Sequence, residues 1–271
     1  MTNFKLVNND KVQKFIYIVK TIKLFNDYIS FIFNHEKLYI QGMDSSHVCL
    51  YEINISKDWF NQYNYDSEES QIIISCNSNN LTKILSLCKT NQGLAIGFNN
   101  DEKLDIDIFD VILKQIKDNN NKDENCNINE RSFTLNCLDI DFDTLTPEEN
   151  DYDVDLYIQS KILSNIFSDL SLFGEDISIN CSNNVVKLKT ESTDNSMVQS
   201  ISFDQLKKYD VVDSYNVNCK FQLSYLSNIT NLQKVFSNVK ISLQDDIPLC
   251  IYFEDTTELY VRFYLAPKID D

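Results

Sequence analysis

Leu38-Tyr39-Ile40-Gln41-Gly42-Met43-Asp44-Ser45-Ser46-His47-Val48-Cys49-Leu50-Tyr51 is the stretch whose reading decides the fold. Its ends alternate as extended segments do. Leu38 and Ile40 lie on one side against Tyr39 and Gln41, and Val48 and Leu50 lie opposite His47 and Cys49. Gly42 reads as the break between them. From Met43 to His47 turn chemistry replaces the apolar face of a plain strand. These residues by themselves describe a strand, a polar kink and a second strand.

The far end of the chain reads Tyr264-Leu265-Ala266-Pro267-Lys268-Ile269-Asp270. Taken together, M-D-S-S-H-V and Y-L-A-P-K-I, in this order and near this separation, resemble the proliferating cell nuclear antigen (PCNA) family of sliding clamps. The resemblance runs from Leu6-Val7 to the last residue. It implies an α+β DNA-clamp fold with two similar domains per chain, each with two helices packed on antiparallel sheets. It further implies a pseudo-sixfold ring built as a homotrimer. The domains expected are residues 1–136 and 153–271, joined by a connecting linker at 137–152.

Composition bounds the alternatives. The 271 residues suffice for one large or two medium domains. No run approaches a membrane span and no secretory hydrophobic region opens the chain, so a soluble intracellular protein with no membrane partner is expected. The eight cysteines contain no C-x-x-C and there are only two histidines, which argues against structural zinc. Cys49, Cys88, Cys137, Cys181 and Cys250 have apolar neighbours and read as reduced, buried thiols. The net charge of −17 argues at face value against nucleic acid. A clamp resolves that conflict by geometry, acidic outside and with its cations gathered toward the duplex.

Outward from the opening stretch, Asn9-Asp10 is placed to cap a helix over about Lys11–Lys23, with Val12, Phe15, Ile16 and Val19 on its apolar face. Lys11 and Lys14 fall on the opposite arc and Lys20 at its edge. Residues 28–41 read as strand, turn at Asn34-His35-Glu36, and strand. Asp58-Trp59-Phe60 reads as an aromatic plug followed by a polar loop to Ser70, and Gln71–Cys76 as a strand. Ser78-Asn79-Asn80 caps a second helix with Leu81, Ile84, Leu85 and Cys88 buried and Lys83 pointing away. Leu94–Phe98 and Lys103–Phe109 form a hairpin. Asp118–Asn129 is a low-complexity surface insertion. After a strand at Arg131–Cys137, Asp139, Asp141 and Asp143 alternate with Ile140 and Phe142. A calcium loop there lacks its glycine and its final carboxylate, so a solvated acidic edge is the reading. In the second half Ser160 caps a helix burying Ile162, Leu163, Ile166, Phe167 and Leu170. A hairpin at Ile177–Asn180 and Val185–Thr190, strands at Met197–Phe203 and Ser214–Phe221, and a helix over Gln222–Lys234 follow. Three strands complete the sheet at Val239–Leu243, Leu249–Phe253 and Leu259–Leu265. The likeness of Leu81–Ser86 to Leu223–Asn228, each leading into strands, supports duplication.

What the resemblance implies about function is tethering without bond chemistry, no cofactor and no metal. A closed ring holds a partner on double-stranded DNA and raises its effective concentration at the primer end. Partners implied are a replicative DNA polymerase, a clamp loader and other proteins carrying a clamp-binding peptide, in the nucleus or in a viral replication compartment. The peptide, with one aliphatic and two aromatic anchors, would enter a pocket of Met43, Val48, Leu50, Leu145, Pro147, Pro248, Tyr264, Leu265, Ala266 and Pro267, with His47 at its glutamine end. The linker is one residue short of the family pattern around Thr146-Pro147. Subunits would pair through about Glu130–Cys137 and Asp194–Gln199. DNA-facing cations would be Lys11, Lys14, Lys20, Lys83, Lys161 and Lys234. The third and fourth helices depart from the family by offering Ser164, Asn165, Ser168, Ser224, Asn228 and Asn231, which predicts topological retention with little direct affinity. Asn183 occupies the position at which family members carry a ubiquitin-accepting lysine. Rival readings are a monomeric or dimeric processivity factor, for which the basic face is lacking, and an acidic interaction scaffold that kept only the peptide pocket. An enzyme built on Ser45, Ser46 and His47 lacks any further constellation to support it.

Overall fold

The computed structural model describes residues 1–99, 102–111, 130–147, 150–182, 185–212 and 216–268. The Asp118–Asn129 insertion, the hairpin tip at Asn100-Asp101, Asn183 and Ile269-Asp270 lie outside the described residues. The chain divides into two units: Met1–Gly42 with Ile53–Asp143, and Met43–Glu52 with Thr144–Asp271.

In the first unit, strands β1 (Thr2–Leu6), β5 (Gln62–Asn64), β7 (Gln92–Asn99), β8 (Lys103–Asp110) and β9 (Glu130–Asn136) form an antiparallel sheet in the order β5-β1-β7-β8-β9. A second set brings β2 (Tyr28–Phe33), β3 (Lys37–Met43) and β6 (Ile72–Asn77) together with the end of β4 (Cys49–Ser56), in the order β4-β3-β2-β6. Helices α1 (Asn9–Ile22) and α2 (Ser78–Leu85) pack side by side. The cap of α1 is Asn8, one residue before the expected one, and its side chain accepts from the backbone N–H of Asp10 and Lys11. Asn77, not Ser78, caps α2, while the buried Ser78 hydroxyl donates to the Asn26 carbonyl at 2.7 Å. The core is aromatic: Phe4 meets Phe15 at 5.2 Å and Phe60 at 4.7 Å, and Trp59 is buried beside Phe60. Each such side chain contributes about 1.5–3 kcal/mol by leaving water. Gly42 does not break the strand, since β3 continues through it to Met43 and the chain turns only at Asp44. Residues 138–143 form no strand; Leu138 makes a single bridge to Ser75, and Asp139, Asp141 and Asp143 are exposed while Ile140 and Phe142 between them are half-buried, the alternation of a solvated acidic edge.

The second unit repeats the plan. One sheet runs β13 (Ser196–Ile201), β12 (Val185–Glu191), β11 (Asp176–Ser182), β15 (Val217–Gln222). The other runs β14 (Leu206–Val211), β10 (Val154–Gln159), β16 (Asn238–Leu243), β17 (Leu249–Thr256), β18 (Leu259–Leu265) and then the start of β4. Helices α3 (Ser160–Leu170) and α4 (Leu223–Ile229) pack together. Ser160 is the first residue of α3, and its side chain makes no capping bond. The expected helix over Gln222–Lys234 is shorter. It ends at Ile229 and tightens into a 3-10 turn at Thr230–Lys234, where the Thr230 hydroxyl donates back to the Leu226 carbonyl at 3.0 Å. Strands β10 and β14 were not expected from sequence, nor were β1 and β5 in the first unit. No helix is long and apolar enough to cross a membrane among the described residues.

Candidate functional site

The turn after β3 is built around one carboxylate. Asp44, 6 % exposed, accepts hydrogen bonds from the backbone N–H of Ser46, Val48 and Cys49 at 3.0, 2.8 and 2.7 Å, and from the Tyr225 hydroxyl at 2.7 Å. Burial alone would push its pKa up, but these bonds outweigh that and hold it below the ordinary carboxylate value. His47 closes the turn in the left-handed region at φ 58°. Beyond it the Val48 carbonyl accepts from the Ala266 N–H at 2.9 Å, which fixes the end of β18 beside the turn.

Between the turn and the end of β18 lies a cleft of about 300 Å³ lined by Met43, His47, Val48, Leu50, Pro147, Asn150, Tyr152, Pro248, Tyr264 and Ala266, all in the second unit. The lining is mainly apolar and includes the flexible thioether of Met43 and two tyrosines. Eight of the residues that sequence assigned to the pocket are therefore together. Three are elsewhere. Leu265 is wholly buried, because β18 alternates Leu259, Val261, Phe263 and Leu265 inward and Tyr260, Arg262 and Tyr264 outward. Leu145 is 48 % exposed and, like Pro267, does not line the cleft. Asn150 and Tyr152 were missed. Tyr152 bridges the mouth by donating its hydroxyl to the Pro248 carbonyl at 3.1 Å, and burial pushes its pKa up.

A more polar cleft of about 350 Å³ adjoins the first and shares Asn150, Tyr152 and Tyr264 with it. Within it Arg262 lies 5.2, 5.2 and 6.0 Å from the rings of Tyr252, Tyr260 and Tyr264. Its guanidinium also pairs with the buried Glu52 at 3.0 Å and donates to the Tyr264 hydroxyl at 3.0 Å, which steadies that wall.

The six lysines expected to face DNA differ in exposure. Lys83, Lys161 and Lys234 are exposed. Lys20 lies over the Tyr17 ring at 5.6 Å, and Lys11 donates to the Trp59 carbonyl while stacking on its ring at 5.5 Å. Lys14 corrects the expectation that it projects outward: it is 8 % exposed and pairs with Asp10 at 2.8 Å, since its i−4 neighbour is a first-turn carboxylate. Lys207, which sequence did not single out, shares a cleft of about 300 Å³ with Lys161, Gln159, Gln233, Ser237 and Asn238. Ser224, Asn165 and Ser168 are exposed on their helices. No group of three or more His, Cys, Asp or Glu able to hold a metal ion occurs among the described residues. The cysteines there are free; burial pushes the Cys76 thiol up to about 12 and Cys250 up to about 11, so both stay protonated and unreactive.

The family models for the N-terminal and C-terminal domains of proliferating cell nuclear antigen match residues 1–144 and 146–269. Proliferating cell nuclear antigen 1 of Plasmodium falciparum is 26% identical over 250 residues, covering 86% of this chain and 85% of its own. A probable DNA polymerase sliding clamp 2 of Paramecium bursaria Chlorella virus 1 is 26% identical over 259 residues, covering 94% and 88%. Among solved structures, PCNA from Thermococcus kodakaraensis superposes with a TM-score of 0.84 at 17% identity over 99% of this chain and 100% of that one. The PCNA2–PCNA3 complex from Sulfolobus tokodaii gives 0.81 at 21% identity over 98% and 99%. With both domains matched end to end, the chain belongs to the proliferating cell nuclear antigen family and is a non-enzymatic DNA sliding clamp.

Proposed function

We propose that three copies of this chain close into a ring around duplex DNA and that each seats a partner's peptide in the cleft between the Asp44 turn and the end of β18. The cleft carries the reading. Its apolar lining, one soft methionine and two tyrosines suit an aliphatic and two aromatic anchors, and His47 stands at the rim for a polar end. The occupants would be a replicative polymerase, a clamp loader and other proteins with such a peptide, in the nucleus or a viral replication compartment. Two end strands support ring closure. Among the described residues β9 pairs only with β8 and β13 only with β12, so each leaves one backbone edge for a neighbouring subunit. Lys20, Lys83, Lys161 and Lys234 would face the duplex, with Lys14 contributing less because it is buried beside Asp10 and Lys11 less because it donates to the Trp59 carbonyl.

The test is fluorescence anisotropy with a labelled peptide carrying a glutamine, an aliphatic residue and two aromatics. Saturable binding that Met43→Ala weakens about tenfold or more supports the cleft. Equal binding by wild type and variant would place the peptide elsewhere. Light scattering over a dilution series tests the ring: a mass of three chains supports it, and a persistent single-chain mass would remove it.

A further inference from the structure

We infer that Tyr225 is a positioning residue of the peptide cleft: from helix α4 its hydroxyl holds the Asp44 carboxylate, and through it the turn that supplies His47 and Val48 to the cleft wall. The inference rests on the cleft reading above. Asp44 divides its work between its two oxygens. Oδ1 accepts from the N–H groups of Val48 and Cys49, where the chain re-enters β4. Oδ2 accepts from the Ser46 N–H inside the turn and from Tyr225, which is 181 residues away in sequence. The backbone of Asp44 adds two more bonds, its N–H to the Cys49 carbonyl and its carbonyl from the His47 N–H, both at 3.0 Å.

Apart from the Tyr225 hydroxyl, every one of these Asp44 bonds lies within residues 44–49 and fixes the turn's internal shape; its exit is tied to β18 by the Ala266 N–H on the Val48 carbonyl, and Tyr225 is what ties the Asp44 carboxylate itself to another element. His47 has a left-handed backbone with no glycine's freedom, a conformation that relaxes unless its surroundings hold it. Ser45, Ser46 and His47 are exposed and supply little packing to do so. The phenol therefore anchors the turn from a rigid element whose other face is buried through Leu223, Leu226 and Ile229. A cleft whose wall is held before the peptide arrives binds with a smaller ordering cost.

Tyr225→Phe keeps the ring and removes only the hydroxyl. In the full chain, amide hydrogen exchange at Ser46, Val48 and Cys49 should rise about fivefold or more in this variant, while amides of β11 and β12 keep their rates. Affinity for the labelled peptide should fall about tenfold, the effect of one lost bond to a charged group. Adding Tyr225→Phe to Asp44→Asn should cost less than the two single effects summed, because the pair acts through one bond. Unchanged exchange in the turn overturns the inference whatever the peptide does. Raised exchange with wild-type peptide affinity overturns the positioning role. If wild type binds no such peptide, the cleft reading falls, and the exchange rates alone decide whether Tyr225 holds the turn.

Discussion

At Asp44 the fold and the function meet in one side chain. Its depressed pKa has a definite sign in stability. The unfolded chain binds a proton at Asp44 more readily than the folded one, so the stabilisation is complete above the ordinary carboxylate value and is lost as pH falls through the lower folded value. Thermal unfolding from about pH 6 to about pH 2 should therefore show wild type losing its margin over Asp44→Asn at the acid end, the difference vanishing once the carboxylate is protonated. A constant difference across that range would mean that the charge of Asp44 contributes nothing. Tyr264 and Leu265 make a second residue-scale contrast. Leu265→Ala should cost about 2–5 kcal/mol of stability by chemical denaturation, as for a wholly buried leucine, and Tyr264→Ala should leave the fold near wild type while weakening the peptide about tenfold. Met43, His47, Val48, Tyr264 and Ala266 were legible because they sit in two recognisable motifs. Leu265 was assigned to the pocket by contiguity with its motif, although the strand's two-residue period already turned it inward. Tyr225 carried no local mark, since its role exists only once α4 lies beside the turn.

Legibility followed burial only in part. Strands such as β11 and β18 alternate cleanly in sequence and in burial. Four strands escaped: β1 and β10, although both alternate in burial, and β5 and β14, end strands of their sheets with the polar sequences Gln-Tyr-Asn and Leu-Lys-Lys-Tyr-Asp-Val, where a sheet edge asks for backbone pairing but little apolar surface. The shortened α4 had a comparable cause, a threonine returning its hydroxyl to the preceding turn, which periodicity does not register. Two further end strands, β9 and β13, behave differently. Val198 on β13 is 56 % exposed, and Phe133 and Leu135 on β9 are only partly buried. Under the ring proposal those side chains become covered in the assembly. Val198→Asp should raise the concentration at which a three-chain species dissociates by about tenfold or more in light scattering, while changing the stability of a single chain by less than about 0.5 kcal/mol. An unchanged dissociation profile would show that β13 takes no part in assembly.

For the whole molecule the governing fact is a net charge of −17 on a protein whose family works on DNA. Counterion release scales with the number of phosphates a protein neutralises. Here the supply is small: Lys14 is paired within α1, Lys11 is held at Trp59, and α3, α4 and the 3-10 turn after α4 carry Ser164, Asn165, Ser168, Ser224, Asn228 and Asn231 where cations were expected. Serine and asparagine can still donate to phosphate oxygens, but they release no counterions. Under the ring proposal, retention comes from encirclement. Affinity for linear duplex should change by only about tenfold between about 50 and about 200 mM salt, the slope of about two phosphate contacts. Protein loaded on closed circular DNA should stay bound through the same range and leave when the circle is cut. A fall of about a thousandfold on linear DNA would reveal a cation surface doing the holding, and loss from intact circles at the same salt would remove encirclement as the source of retention. Weak local attraction also suits sliding, because a surface that grips few phosphates has few contacts to break at each step along the duplex.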